Sequence, residues 1–121
     1  MIDSQLIQKL QANHVAAWNE RDRTRRDELL NTIYAEQIKM YDPNFILQNL
    51  TEVSDFIGKL HSRDPEFLFS AARPMEFTQN GVRLYGHLGT RQNPQQLNSM
   101  DFFIIEGGKA THLYVFIDKA G

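Results

Sequence analysis

The chain has 121 residues, of which 41% are hydrophobic and 23% charged, and its formal net charge at pH 7 is −2. These values are typical of one compact domain over residues 1–121, and the near-neutral charge gives no electrostatic basis for binding nucleic acid or an anionic membrane. The sequence has no cysteine, which excludes disulfides and thiol chemistry, and it has neither a membrane-spanning apolar segment nor a signal-peptide pattern, so we predict a cytoplasmic protein.

Two helices are predicted in the first third of the chain. The first helix begins at a cap, Asp3 or Ser4, and runs to about Asn19. Its apolar stripe follows three-and-four spacing and consists of Ile7, Leu10, His14, Ala17 and Trp18. Acids alternate with arginines over residues 20–28, which favours a solvated turn and helix start rather than a phosphate site. A short second helix then carries Leu29, Leu30, Ile33 and Tyr34.

A short strand and a third helix follow. Residues 36–41 alternate as in a strand, which stops at Asp42 because a residue before proline disfavours the helical conformation. Residues 44–50 are predicted to form a loop. Thr51 is the predicted cap of the third helix, which ends near Asp64. The buried face of this helix is predicted to be Val53, Phe56, Ile57 and Leu60.

The second half of the chain reads as antiparallel strands. Residues 66–78 are predicted to form one long strand, interrupted at Arg73-Pro74. Asn80-Gly81 is a hairpin turn, after which residues 82–91 alternate. In this strand Val82, Leu84, Gly86 and Leu88 share one face, and Arg83, Tyr85, His87 and Gly89 share the other.

A final hairpin joins residues 100–106 to residues 109–118 through a Gly-Gly turn. Its first strand is apolar on both faces except for Asp101, which shares a face with Phe103 and Ile105. A carboxylate in such surroundings must find a partner, stay protonated or take part in chemistry. Asp101 is therefore the first candidate functional residue.

The order of elements predicts an α+β fold, with helices packed on one face of a curved sheet. Such a sheet closed by helices leaves a cone that can hold a small apolar ligand. Because the strands are apolar on both faces, the outer sheet face needs a cover, and a homodimer would supply it.

Four stretches of the chain resemble the NTF2-like superfamily, in particular its SnoaL-like members. They extend over nearly the whole chain and read WNERD (residues 18–22), IYAE (33–36), YDP (41–43) and MDFFIIEGGK (100–109). The resemblance implies a cone of three N-terminal helices on a curved, mainly antiparallel sheet. The superfamily includes ketosteroid isomerases, polyketide cyclases, dehydratases, epoxide hydrolases and non-catalytic binding or association domains, so the fold does not decide the function.

The resemblance to ketosteroid isomerases implies two acidic site residues. In those enzymes an aspartate before a proline at the end of the first strand is the general base, and Asp42 matches it. A second, protonated aspartate on the strand before the last hairpin turn donates to the developing oxyanion, and Asp101 matches it if this turn is one residue shorter. The third member is a tyrosine on the first helix, where this chain instead has His14.

The resemblance to SnoaL-type aldol cyclases implies a different pair. There the acid and base are a histidine on one strand and an aspartate on the next, and His87 and Asp101 resemble them in type and in separation. That chemistry needs a base for an acidic proton beside a carbonyl and a donor for the resulting enolate or alkoxide. It requires no metal or organic cofactor, and we predict none.

Each candidate also has a structural interpretation. Asp101 can pair with an arginine such as Arg73 or Arg83. Asp42 can bond nearby backbone in a turn, and His14 can be a hydrogen-bonded core histidine.

The other histidines are weaker candidates. His87 can belong to a ladder on the sheet surface, and His61 and His112 are expected at the surface. No pair of ligands has helical metal-site spacing, so no zinc site is predicted. The candidate substrate-binding residues are Trp18, Tyr34, Tyr41, Phe56, Met75, Tyr85, Phe103, Tyr114 and Phe116.

Two functions of different class follow. The first is a cofactor-independent isomerase, cyclase or dehydratase in which Asp101 and His87 transfer protons on an apolar carbonyl substrate, with Asp42 and His14 lining the pocket. The second is a non-catalytic ligand-binding or dimerisation module. Convergence of these four side chains on one open cavity favours the enzyme, whereas an arginine-locked Asp101 without a cavity favours the module.

Overall fold

The computed structural model describes residues 2–119. Its helices are α1 (Ser4–Asn19), α2 (Arg23–Ile33) and α3 (Leu50–Arg63). Its strands are β1 (Tyr34–Tyr41), β2 (Ile46–Leu47), β3 (Phe67–Ala71), β4 (Glu76–Thr78), β5 (Gly81–Thr90), β6 (Leu97–Glu106) and β7 (Lys109–Lys119). This order confirms the predicted α+β class, and no helix among these residues is long and apolar enough to cross a membrane.

Side-chain caps fix the helix starts. Asp3 caps α1 as expected, since its carboxylate accepts from the backbone N–H of Leu6 at 2.9 Å. The predicted cap of α3 is wrong, because Asn49 rather than Thr51 accepts from the N–H of Glu52. The Glu52 carboxylate in turn accepts from the N–H of Gln48 at 2.8 Å, so the helix start is satisfied from both sides.

The acid- and arginine-rich segment is less solvated than its composition suggests. The surface pair Arg23–Asp27 forms at 3.0 Å, but Arg26 is only 3% exposed. Its guanidinium donates to Ser54 Oγ at 3.0 Å and to the Glu20 carbonyl at 2.9 Å. Arg26 therefore links α2 to α3, and its burial is tolerated because its guanidinium is hydrogen-bonded.

All seven strands form one mixed sheet in the order β2-β1-β7-β6-β5-β3, with β4 also paired to β5. Among the strands of residues 2–119, only β1 and β7 run parallel, and the other pairs are antiparallel. The predicted long strand over residues 66–78 is two strands, β3 and β4, because the chain leaves the sheet around Pro74, which cannot donate a ladder hydrogen bond.

The hairpin of β6 and β7 turns at Gly107 and Gly108, whose φ angles are +61° and +81°. Two successive positive φ angles match the twist of the flanking strands, and glycine adopts them without strain. As expected, Asp101, Phe103 and Ile105 on β6 are buried on one face.

The helices and the inner sheet face enclose the core, which includes Leu10, Ile33, Ile57, Leu84, Phe103 and Leu113. The outer sheet face carries exposed aromatic side chains, of which Phe116 is 54% exposed. Tyr41 stacks on Tyr114 on this face, with ring centroids 4.4 Å apart. The fold thus has one face covered by helices and one face open.

Candidate active site

A cavity of about 300 Å³ lies between the helices and the inner face of the sheet. Its walls come from α1, α3 and the inward residues of five strands, and most of the lining side chains are apolar. Five candidates named from the sequence line it: His14, Trp18, Asp42, Phe56 and Asp101. The volume is at the lower end of the range for ligand pockets, so it suits a compact molecule.

Asp101 and His14 form a buried pair at the wall of this cavity. His14 Nε2 lies 2.9 Å from Asp101 Oδ2, and the two residues are 1% and 5% exposed. The His14 ring packs edge-on against Phe103 and Phe69, with centroids 5.0 and 5.4 Å away. Because aromatic rings surround it, the imidazole is held in one orientation toward the carboxylate.

Two further groups fix which way these hydrogen bonds run. The Tyr34 hydroxyl lies 2.5 Å from His14 Nδ1, and it accepts from the indole N–H of Trp18 at 3.1 Å. Burial raises the pKa of Tyr34 well above its usual value, and the nearby Asp101 charge acts in the same direction. The phenol therefore keeps its proton, and among the described residues His14 Nδ1 is the acceptor within reach.

The tautomer of His14 follows from this. If Nδ1 accepts from Tyr34, the proton of the neutral imidazole is on Nε2 and is donated to Asp101. The direction is thus Trp18 to Tyr34 to His14 to Asp101. This makes Asp101 an acceptor at Oδ2, whereas Oδ1 has no hydrogen-bond partner among residues 2–119 and is not fully enclosed. A carboxylate so arranged beside an apolar cavity can accept a proton from a bound molecule.

Asp42 both lines the cavity and stabilises a turn, so its functional and its structural interpretation hold together. It follows β1 and lines the cavity, while its Oδ1 accepts from the backbone N–H of Asn44 at 3.0 Å, as a turn-forming aspartate does. Its backbone N–H donates to the Phe45 carbonyl at 2.9 Å. The turn therefore holds the carboxylate at the cavity wall.

His87 does not lie in this cavity, so the expected pairing of His87 with Asp101 is wrong in its geometry. The register of β5 and β6 pairs Asp101 with Leu84 and His87 with Asn98. Residues three apart on a strand point to opposite faces, so His87 lies on the outer face. There it contacts Asn98 Oδ1 at 3.1 Å and lines a separate surface depression with Arg73.

The other candidate substrate-binding residues do not line this cavity. Phe103 is buried against His14 on the core side, and Tyr34 lies behind His14. Met75 lines a surface groove beside α1. The remaining candidates belong to the outer face: Tyr41, Tyr85, Tyr114 and Phe116.

Two structural expectations are corrected. Asp101 pairs with neither arginine: Arg73 stacks on the Tyr85 ring at 3.8 Å, and Arg83 pairs with Glu76 at 3.0 Å. His61, expected at the surface, is buried, and its Nε2–H donates to the Trp18 carbonyl at 2.8 Å.

Sequence reasoning missed Asp64 and the role of Tyr34. Asp64 lines the cavity from the end of α3, and its position before a proline is the same signal that singled out Asp42. The sequence pattern predicts Tyr34 on the second helix, whereas in the structure it is the first residue of β1. In the described part of the chain, no group of three acidic or histidine side chains is arranged to hold a metal ion.

No family model matches the sequence, and no curated protein matches it significantly. Solved structures do match. A protein of Agrobacterium tumefaciens, described as a candidate isomerase of the SnoaL-like family, superposes with a TM-score of 0.85 at 21% identity, over 94% of this chain and 98% of that one.

Two further crystal structures agree with this match. A candidate polyketide cyclase of Sinorhizobium meliloti gives a TM-score of 0.74 at 10% identity, over 95% of this chain and 100% of that one. An NTF2-like protein of unknown function from Cytophaga hutchinsonii gives 0.69 at 16% identity, over 98% and 92%. The chain therefore has the NTF2-like fold of the SnoaL-like proteins, as expected from its sequence.

Proposed function

We propose that the protein binds a small, largely apolar carbonyl compound in the cavity and transfers a proton at the carbon beside the carbonyl, with Asp101 as the base. One observation carries this proposal. Asp101 is buried beside an apolar cavity with Oδ2 held by His14 and Oδ1 without a partner among the described residues. A carboxylate with one oxygen held in place and the other beside the cavity is positioned to accept a proton from a bound molecule.

The reaction requires no group other than protein side chains. Asp101 takes a proton from the carbon, the electron pair of the C–H bond becomes part of an enolate, and the same carboxyl returns the proton to another atom. Return to a different carbon isomerises the compound, whereas attack of the enolate on a second carbonyl closes a ring. His14 acts through Asp101 and is a positioning residue, since its Nε2–H is donated to the carboxylate.

The enolate oxygen needs a donor, and we assign this role to Ser99. It lies two residues before Asp101 on the same inner face of β6 and lines the cavity. Its hydroxyl is buried and has no partner among residues 2–119. A buried hydroxyl normally has a hydrogen-bond partner, and a bound molecule would supply one for Ser99.

The similar structures support this class of chemistry. Two of them are described as a candidate isomerase and a candidate polyketide cyclase, and the proposed proton transfer beside a carbonyl is compatible with either description. His87 has no part in the proposal, because it lies on the outer face.

The test is deuterium uptake from D2O into small cyclic ketones, measured by NMR. We expect wild type to label the carbon beside the carbonyl and Asp101→Asn to be about a hundredfold or more slower. His87→Asn is the matched control and is expected to retain the wild-type rate. Equal labelling by wild type and Asp101→Asn contradicts the proposal, as does tight ketone binding without any labelling.

A second candidate function is a dimerisation module, favoured by the open outer face. We propose that Phe116 and Tyr114, both exposed on this face, pack against a second copy of the chain. Sedimentation tests this: wild type is expected to be a dimer and Phe116→Arg a monomer. A monomeric wild type at 0.1 mM or so, far above the Kd of a stable interface, contradicts it.

A further inference from the structure

The charges that line the cavity have one sign. Three carboxylates line it, Asp42, Asp64 and Asp101, and the described lining includes no lysine or arginine. The three come from different elements, at the end of β1, at the end of α3 and within β6. None of them forms an ion pair with a lysine or arginine in the described part of the chain. The cavity is therefore apolar in its walls and anionic in its polar groups.

Asp64 is the least expected of the three. It is the C-cap residue directly after α3, where the helix dipole places partial negative charge, so a carboxylate there is unfavourable for stability. Its carboxylate forms no salt bridge among residues 2–119 that would offset this cost. Arg63 lies on a different surface groove, with Arg21 and Lys59. A residue that breaks a stability rule without compensation is expected where function requires it.

A second feature, which is independent of the carboxylates, points to a ligand in the same place. Ser99 lines the cavity, is only 6% exposed, and its buried hydroxyl has no hydrogen-bond partner among the described residues. The half-buried Asp42 and Asp64 line the same space. A ligand bound there therefore meets three carboxylates in a largely apolar cavity, where charges interact more strongly than they do in water.

We infer that the cavity selects carbonyl compounds that carry a protonated amine, accepts neutral ones less well and rejects organic acids, with Asp64 as the residue that sets this preference. The carbonyl part of this inference rests on the proposed proton transfer, whereas the charge preference stands on the lining alone. The apolar walls bind the carbon skeleton, and the carboxylates bind the ammonium group.

The test uses three matched cyclohexanones that carry an aminomethyl, an ethyl or a carboxy substituent. Their affinities are measured by calorimetry with wild type, Asp64→Asn and Glu66→Gln. Glu66→Gln is the matched control, since it removes one negative charge from an exposed residue two positions away that does not line the cavity.

We expect wild type to bind the amine on the order of tenfold more tightly than the ethyl compound, and the acid most weakly. Asp64→Asn is expected to lose most of this preference, Glu66→Gln to keep it, and added salt to reduce it. Equal binding of amine and acid overturns the inference, and so does an unchanged preference in Asp64→Asn.

Deuterium uptake separates the two proposals. A charge preference that depends on Asp64, without labelling of the bound ketones, supports the inference and overturns the proposed proton transfer. Labelling without a charge preference overturns the inference alone. Failure of all three compounds to bind at millimolar concentration overturns both.

Discussion

Replacing Tyr34 by phenylalanine removes one oxygen atom from the centre of the buried hydrogen-bond chain. The hydroxyl is fully buried and joins Trp18 Nε1 at 3.1 Å to His14 Nδ1 at 2.5 Å. Phenylalanine keeps the ring and its packing, so the change is confined to these two contacts. Both nitrogens then remain buried without a partner among the described residues.

The cost can be worked out from these contacts. An unsatisfied buried polar group costs about 1–3 kcal/mol, so two of them give a loss of about 2–6 kcal/mol in the free energy of unfolding. At about 4 °C per kcal/mol for a chain of this size, the melting temperature should fall by roughly 8–24 °C. Loss of the Tyr34 donor also frees His14 to place its proton on Nδ1, which weakens its hold on Asp101.

Chemical denaturation of wild type and Tyr34→Phe measures this loss. Tyr85→Phe is the matched control, because Tyr85 lies on the outer face and its hydroxyl makes no hydrogen bond to the described residues, so its change should stay within about 0.5 kcal/mol. A loss below about 0.5 kcal/mol for Tyr34→Phe would refute the buried hydrogen-bond chain.

Three other predictions concern stability. Burial lowers the pKa of His61 in the folded protein, so as the pH falls the unfolded chain binds a proton at this residue before the folded protein does. The free energy of unfolding should therefore fall as the pH drops below about 6.5, the pKa of an unperturbed histidine. Denaturation curves between pH 7.5 and 5.5 should show a smaller fall for His61→Gln than for wild type. Gly89→Ala should lower the melting temperature strongly, because its Cβ would lie 2.1 Å from the Asn93 carbonyl oxygen. Arg26→Ala should cost about 2–4 kcal/mol, since it removes the hydrogen bonds of the buried guanidinium to Ser54 Oγ and to the Glu20 carbonyl, whereas replacement of the exposed Arg25 should cost little.

The fold could be predicted from local patterns. Three-and-four spacing located α1 and α3, and the glycine pair located the last hairpin, because each of these depends on neighbouring residues alone. The errors were also local. Asn49 competes with Thr51 as a cap, and Tyr34 continues a helical pattern although it begins β1. Neither choice can be made without knowing which side chains the tertiary structure buries.

The candidate site was predicted only in part. The apolar stripe of α1 placed His14 toward the core, and the alternation of β6 placed Asp101 on a buried face, so their meeting follows from two local patterns. The error over His87 has a different origin. Alternation along β5 places His87 on the face opposite Leu84 and Leu88, whereas its expected pairing with Asp101 rested on the family resemblance alone.

The most direct test of the site is the protonation pattern of the His14 ring, because it needs no knowledge of the substrate. Nitrogen-15 NMR of the imidazole at neutral pH distinguishes the two tautomers and the charged ring. We predict a neutral ring with the proton on Nε2 in wild type, and loss of this single state in Tyr34→Phe. A proton on Nδ1, or a charged ring, would contradict the hydrogen-bond direction from Tyr34 through His14 to Asp101. It would also contradict the assignment of Asp101 as the base.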